Sequence, residues 1–328
     1  MNNFRKIRGQ IAMATKKQNL TTKQKIWSTI QVLFIGILFY LGVTLIFFGS
    51  GFGDSYLVQQ NAEQASSGLT PKKADQNKHR KTTYDASKTK SISTTRILRS
   101  KKIKAYAIGR ISLPAVNIHN PLFAGYGSEN QNLEYGVVTC LPDRVMGGAN
   151  NYVLAGHYMG AYGPAVLDNL HLAKRGDLIY VTDLHHIYAY EVKRISFAIK
   201  PTQVEVENNI KDRSMITLIT CSDFNTSKYG YGQHRTVVQG DLISKIKATN
   251  KNLSATELTA NFSTKKDQKK VALPTKKGRH TIKKSQQIRA KAQPKFFQNM
   301  TLIKAAIIIF NVIFFLIIVW RLVRIWHS

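Results

Sequence analysis

Met215-Ile216-Thr217-Leu218-Ile219-Thr220-Cys221 is a charge-free run, rich in β-branched side chains, that ends on a thiol. Such composition over so short a length reads as a strand. Arg235 follows the thiol fourteen residues later, at the head of another β-type run, Arg235–Leu242. Upstream, Tyr152-Val153-Leu154-Ala155-Gly156-His157 is a third apolar run and closes on an imidazole. Working outward, strand-type runs recur at Ala105–Leu113, Tyr135–Thr139, Leu178–Thr182, Ile187–Ala198 and Gln203–Glu207. Turn residues punctuate them, at Leu141-Pro142-Asp143, Gly147-Gly148, Lys174–Asp177 and Asn208-Asn209. Pro164–Leu172 is the one helical pattern among them, with proline in the first turn. Eight short strands with one or two short helices between residues 102 and 246 predict a mainly β fold, an eight-stranded closed or nearly closed β-barrel.

Two apolar stretches flank this region. Ile30–Phe48 carries no charge over 19 residues, a length of about 28 Å as helix, close to one hydrocarbon thickness. Ala305–Trp320 is uncharged over 16 residues, and Lys304 and Arg321 can snorkel at its ends. A buried core helix is the alternative, but uniform hydrophobicity without a polar face argues for spans. Arg5, Lys6, Arg8, Lys16, Lys17, Lys23 and Lys25 precede the first span, while Asp54 is the first charge after it. The positive-inside bias then places both termini in the cytoplasm and the middle outside. Lys283, Lys284, Arg289, Lys291 and Lys295 run against that bias at the second span. No Ala-x-Ala site follows the first span, so it does not read as a cleaved signal peptide.

The formal charge of +30 is unevenly placed: Lys265–Lys295 holds twelve Lys/Arg against Asp267 alone. That stretch and residues 64–104, rich in Lys, Ser and Thr, read as solvated linkers too poor in apolar side chains to fold. Without interleaved aromatics the charge does not suggest nucleic acid. Anionic lipids or wall polymers are the expected counterions, or the linkers act as a repelling stalk. The domain plan is a basic cytoplasmic N-terminus (1–25), a transmembrane helix (26–49), an extracellular linker (50–101), a catalytic barrel (102–246), a basic linker (247–299), a second transmembrane helix (300–323) and a cytoplasmic tail (324–328).

A thiol, an imidazole and a guanidinium at strand ends are chemically complete for acyl transfer. The thiol attacks once ionised, the imidazole carries the proton, and the permanently charged arginine stabilises an oxyanion. Singly, each has a plainer reading: a small core hydrophobe, a turn residue, an ion-pair partner. A Cys140–Cys221 disulfide is a further alternative for two cysteines outside a cell. His185-His186 sits at a hairpin turn with no further ligands in sight. Glu205 and Glu207 read as a solvated strand face rather than a calcium site, so no cofactor or metal is expected. His234 points away from the site by strand alternation.

The run Thr217-Leu218-Ile219-Thr220-Cys221 resembles the TLxTC signature of the sortases, cysteine transpeptidases of Gram-positive cell walls. Over residues 107–245 further segments are similar to that family in its order. They are Gly109–Pro114 (opening strand), Asn151–His157 (histidine segment), Gly176–Asp183 with Tyr188–Val192 (central hairpin), and Arg235–Leu242 (closing strand). The resemblance implies a sortase-type barrel with Cys221 as nucleophile, His157 as acid/base and Arg235 as oxyanion and substrate clamp. It implies cleavage of an LPxTG-type sorting signal between Thr and Gly, a thioacyl-enzyme, and transfer to a cell-wall amine. It also implies membrane anchoring, and with the two apolar spans the expectation is a two-pass plasma-membrane protein with its catalytic domain outside. Thr220-Cys221-Ser222-Asp223 looks most like class A. The second span is shared with pilin-polymerising sortases, yet the Asp-Pro of their lid occurs nowhere in this chain. The thirteen residues between Cys221 and Arg235, with Tyr229 and Tyr231, also depart from the simplest class A plan. The alternatives are a hydrolytic cysteine peptidase, a wall-binding module indifferent to Cys221, and a sorting substrate, whose Leu273-Pro274-Thr275-Lys276 has lysine where LPxTG has threonine.

Overall fold

The computed structural model describes residues 20–49, 51–89, 92–100, 103–159, 166–224, 232–259 and 300–327. Residues 48–300 form one compact unit; residues 1–47 with 301–328 form another.

The larger unit is a closed eight-stranded barrel in the order β1-β2-β3-β4-β7-β8-β6-β5, with β5 returning to β1. Its strands are β1 (Ala107–Leu113), β2 (Ile118–Phe123), β3 (Val137–Thr139), β4 (Asn151–Ala155), β5 (Leu178–Thr182), β6 (His186–Ile199), β7 (Met215–Phe224) and β8 (Gly232–Lys247). Most neighbours are antiparallel, but β2–β3 and β4–β7 run parallel. The β4–β7 pair matters most. Two parallel neighbours run toward the same rim, with His157 two residues past the end of β4 and Cys221 in the last part of β7.

Alternation along β7 sorts its two faces. Ile216 and Leu218 are fully buried in the core with Leu154, Ile179, Tyr190 and Val238. Thr217, Ile219 and Cys221 face outward, beneath the segment joining β6 to β7. At the opposite turn, Asp183 Oδ1 accepts from the backbone N–H groups of His185 and His186, which closes the β5–β6 hairpin.

The barrel has the expected number of strands, but two members differ. Residues 203–207 read as a strand and instead form a 3₁₀ turn, Val204–Glu207. β2 went unread because His119, Asn120 and Pro121 break its apolar pattern. Buried Asn120 spends its amide on the Val166 carbonyl at 2.7 Å, and Pro121 needs no ladder hydrogen. Of the helix expected over Pro164–Leu172, residues 164–165 lie outside the described residues, and Asp168–Leu172 is a 3₁₀ helix.

The stretch expected to be a solvated linker is folded where it is described. It holds α2 (Gly51–Ser66), α3 (Pro71–Lys78) and α4 (Thr94–Ser100). Few apolar side chains suffice because nearly all are used: Leu57, Val58, Ala62, Ala74 and Ile97 are buried. Hydrogen bonds do the rest. Arg110 of β1 donates to the Ser66 and Leu258 carbonyls, and Asn77 donates to the Ala107 carbonyl. On the other side α5 (Asn250–Ala255), capped by Thr249, extends the fold past residue 246, and Leu258 is fully buried. Average composition misses such packing because burial depends on where a few side chains point. The basic run 265–295 and the N-terminal residues 1–19 lie outside the described residues.

The smaller unit pairs α1 (Thr22–Gly49) with α6 (Met300–Trp326), both long and apolar enough to cross a membrane. They are antiparallel: Lys25 Nζ donates to the Trp326 carbonyl, and Tyr40 Oη donates to Asn311 Oδ1 at 2.8 Å. Gly36 permits the approach, since a Cβ there would lie 2.8 Å from Ile318 Cδ1. In hydrocarbon the Tyr40–Asn311 bond satisfies two polar groups that lipid cannot.

Candidate active site

Three rows of side chains run across the outer face of β4, β7 and β8. The register pairs Thr217 with Gln239, Ile219 with Val237, and Cys221 with Arg235. On the other side of β7, Ala155 pairs with Ile219. The Gly156 N–H donates to the Ile219 carbonyl, and Thr220 Oγ1 donates to the Gly156 carbonyl. Continuing that parallel register by two residues sets His157 beside Cys221. The uppermost row is therefore His157–Cys221–Arg235, with the thiol in the centre. The three residues expected from the sequence are brought together by pairing alone. His234 pairs with Ser222 and so projects from the opposite face.

A cavity of about 480 Å³ opens over the upper two of these rows. Ala155, Ile219 and Val237 form its apolar floor; Val204, Val206 and Glu207 form one wall. The opposite wall is unexpected. Ser87, Thr89 and Ile92, from the chain before the barrel, line the same cavity. That segment is fastened where Thr83 N–H donates to the Gly127 carbonyl and the Tyr126 N–H donates to the Thr83 carbonyl. Nothing in its Lys/Ser/Thr composition marks it as part of a site.

Burial disfavours the charged form of both Cys221 and His157. Burial raises the Cys221 thiol above its ordinary range, and the neighbouring Arg235 charge opposes this. Burial lowers the His157 imidazole to about 4, and the Arg96 charge adds to it. His157 Nε2 is covered and has no hydrogen-bond partner among the described residues. Arg96 belongs to α4 and is held by Glu134, with Nε and Nη2 donating to Oε1 at 2.9 and 2.6 Å. Sequence reading missed this pair because neither residue lies in a motif. Arg235 Nη1 donates to the Gly232 and His234 carbonyls at 2.8 and 3.0 Å, which fixes the plane of its guanidinium.

Cys140 opens on the same cavity but stands outside the row, next to the base of β4. Both cysteines are free thiols, so the disulfide alternative does not hold. Burial, with the Glu207 charge, pushes the Cys140 thiol up to about 12, which keeps it protonated and inert. Among the described residues no group of three His, Cys, Asp or Glu is placed to hold a metal. Glu205 and Glu207 lie on the 3₁₀ turn, and burial raises Glu207.

The imidazole yields a pH prediction. A histidine whose folded pKa is depressed takes up its proton more readily in the unfolded chain. Below the unfolded value, about 6.5, and down to about 4, acid therefore destabilises the fold through this group. The slope is at most roughly 1.4 kcal/mol per pH unit. His157→Gln should flatten that limb, as read from the difference between the urea-unfolding profiles of the two full-length proteins. Parallel profiles would show that His157 titrates normally.

Comparison with known proteins finds a family match over most of the barrel. A family model described as the sortase domain matches residues 111–243. Sortase A of Streptococcus agalactiae serotype III (strain NEM316) is 36% identical over 196 residues, covering 58% of this chain and 78% of that protein. Sortase A of Bacillus anthracis is 35% identical over 221 residues, covering 67% of this chain and 96% of that protein. The solved structure of Listeria monocytogenes sortase A shares 32% identity and covers 47% of this chain and 98% of that one, with a TM-score of 0.41.

Proposed function

The chain belongs to the sortase family of transpeptidases, and from that premise we propose that it cleaves an LPxTG-type sorting signal between Thr and Gly and transfers the product to a cell-wall amine. The His157–Cys221–Arg235 row at one rim of an open cleft carries this reading. Cys221 gives its proton to His157 and attacks the threonine carbonyl as thiolate. Arg235, its plane fixed by two backbone carbonyls, donates to the oxyanion of the tetrahedral intermediate. The protonated imidazole then delivers its proton to the departing glycine amine, leaving a thioacyl-enzyme. An incoming amine repeats the sequence in reverse.

The decisive experiment is incubation with a labelled Leu-Pro-x-Thr-Gly peptide and mass spectrometry for a thioester adduct on Cys221. Product analysis with and without an added amine separates transfer from simple hydrolysis, and a pilin-derived lysine as acceptor tests the polymerising alternative that the second apolar helix favours.

The location follows from the same proposal. The antiparallel pairing of α1 and α6 supports both termini lying on one side, inside, with residues 50–300 outside. Trypsin added to intact cells should then cut within Lys265–Lys295, whose twelve basic residues are its sites. The described helices before the barrel and the barrel strands should be cut more slowly, because they are packed. Cleavage at 265–295 only after lysis would show the orientation to be wrong. Added salt should weaken attachment of released protein to anionic lipids or wall polymers only where that basic stretch is retained.

A further inference from the structure

The region below the cleft floor, where Thr217 and Gln239 pair four residues from Cys221 and Arg235 and Asn151 opens β4 beside them, holds no reactive group. It carries a closed polar network instead. Asn151 Nδ2 donates to the Val206 carbonyl at 3.0 Å and to the Asn208 carbonyl at 3.2 Å. Gln239 Nε2 donates to the same Val206 carbonyl at 3.1 Å and to Thr217 Oγ1 at 3.2 Å. Thr217 Oγ1 donates to Asn151 Oδ1 at 2.7 Å, and the Asn151 N–H donates to Asn209 Oδ1 at 2.8 Å. Asn151 and Thr217 are fully buried. Because the Asn151 amide meets two carbonyl oxygens on one side and a hydroxyl on the other, its orientation is determined by the network.

Three strands, β4, β7 and β8, each contribute one side chain, and nearly every group they reach outside the barrel belongs to residues 206–209. That stretch has no ladder of its own. It continues the Val204–Glu207 turn, whose Val204, Val206 and Glu207 form a wall of the cleft. We infer that Asn151, Thr217 and Gln239 are positioning residues, which bolt the cleft wall to the barrel at a fixed height below Cys221 and so set how the peptide is gripped. The inference rests on the cleft being the sorting-peptide groove. It gives the first threonine of the TLITC run a task separate from the chemistry: Thr217 fastens the wall while Cys221 reacts, four residues further along one strand.

The test uses full-length protein in detergent. Thr217→Val keeps the side-chain shape but removes the hydroxyl, and Gln239→Leu removes one of the two amide donors to Val206. Each should raise KM for a fluorogenic Leu-Pro-x-Thr-Gly peptide about five- to tenfold while kcat stays within about twofold, as expected when ground-state grip rather than reaction is lost. Thr217→Ser, which restores the hydroxyl, should return KM to near the native value. Amide hydrogen exchange over 203–209 should quicken in Thr217→Val and Gln239→Leu, with the strands unchanged. Native exchange across 203–209, or equal impairment of Thr217→Ser and Thr217→Val, overturns the inference, as does a fall in kcat that tracks a lowered Tm with KM unmoved. If the native protein turns over no sorting peptide, the functional reading fails, and exchange over 203–209 still decides the positioning role.

Discussion

Cys221→Ala should abolish cleavage and transfer, a fall of about 10⁴-fold or more given what loss of a nucleophile costs in comparable acyl-transfer enzymes, while Cys140→Ala keeps activity within a fewfold. The two thiols face one cavity, so exposure to substrate does not distinguish them. Their neighbours do. Cys221 lies between His157 and Arg235, and the arginine charge favours its thiolate. Cys140 lies under a carboxylate, in a buried position that holds its proton to about 12. Its loss should register as stability, on the order of 1–2 kcal/mol for a small buried side chain. Peptide turnover and Tm measured on both variants decide the matter. Equal loss of activity from the two would mean that the row is not the reacting centre.

Arg235→Ala should lower kcat/KM by about 10²–10³, the usual cost of one oxyanion donor, and Arg235→Lys should recover little of it. In the native protein, one nitrogen of the guanidinium is spent on the Gly232 and His234 carbonyls. This anchors the planar fork and leaves its other donors directed by geometry. An ammonium on a flexible stem can hold the backbone or the substrate, but not both in a fixed plane. His157→Ala should cost about 10²–10⁴ through loss of proton transfer. Steady-state kinetics of the three variants, with circular dichroism to show an intact barrel, test this. Near-native kinetics for Arg235→Lys would reduce the residue to a point charge.

The sequence was most informative where function and local pattern coincide. Met215–Cys221 is recognisable because a strand buried on one face and covered on the other has to be apolar or β-branched throughout, and a thiol at its end is conspicuous. β2 was invisible because its polar residues are satisfied by distant partners, such as Val166 for Asn120. Residues 203–207 were misread because a 3₁₀ turn with alternating Val and Glu has the same period as a strand. The helices from 51 to 100 were hidden by their polar composition. What buries Ile97 or pairs Arg96 with Glu134 lies in another part of the chain.

The sequence by itself determined the elements: the strand-type runs, the residue types that end them, the two apolar spans and the order of the motifs. These are short-range properties, set by side-chain periodicity and backbone preference within about ten residues. Only the tertiary structure decided what stands beside what. His157 and Cys221 are 64 residues apart in the chain and adjacent solely because β4 and β7 pair in parallel. Below them Asn151, paired with Met215, meets Thr217 through a diagonal side-chain hydrogen bond, and packing of the chain before the barrel brings the Arg96 charge to bear on the imidazole. A strand carries no local record of its neighbour, since register is set by burying a whole face at once.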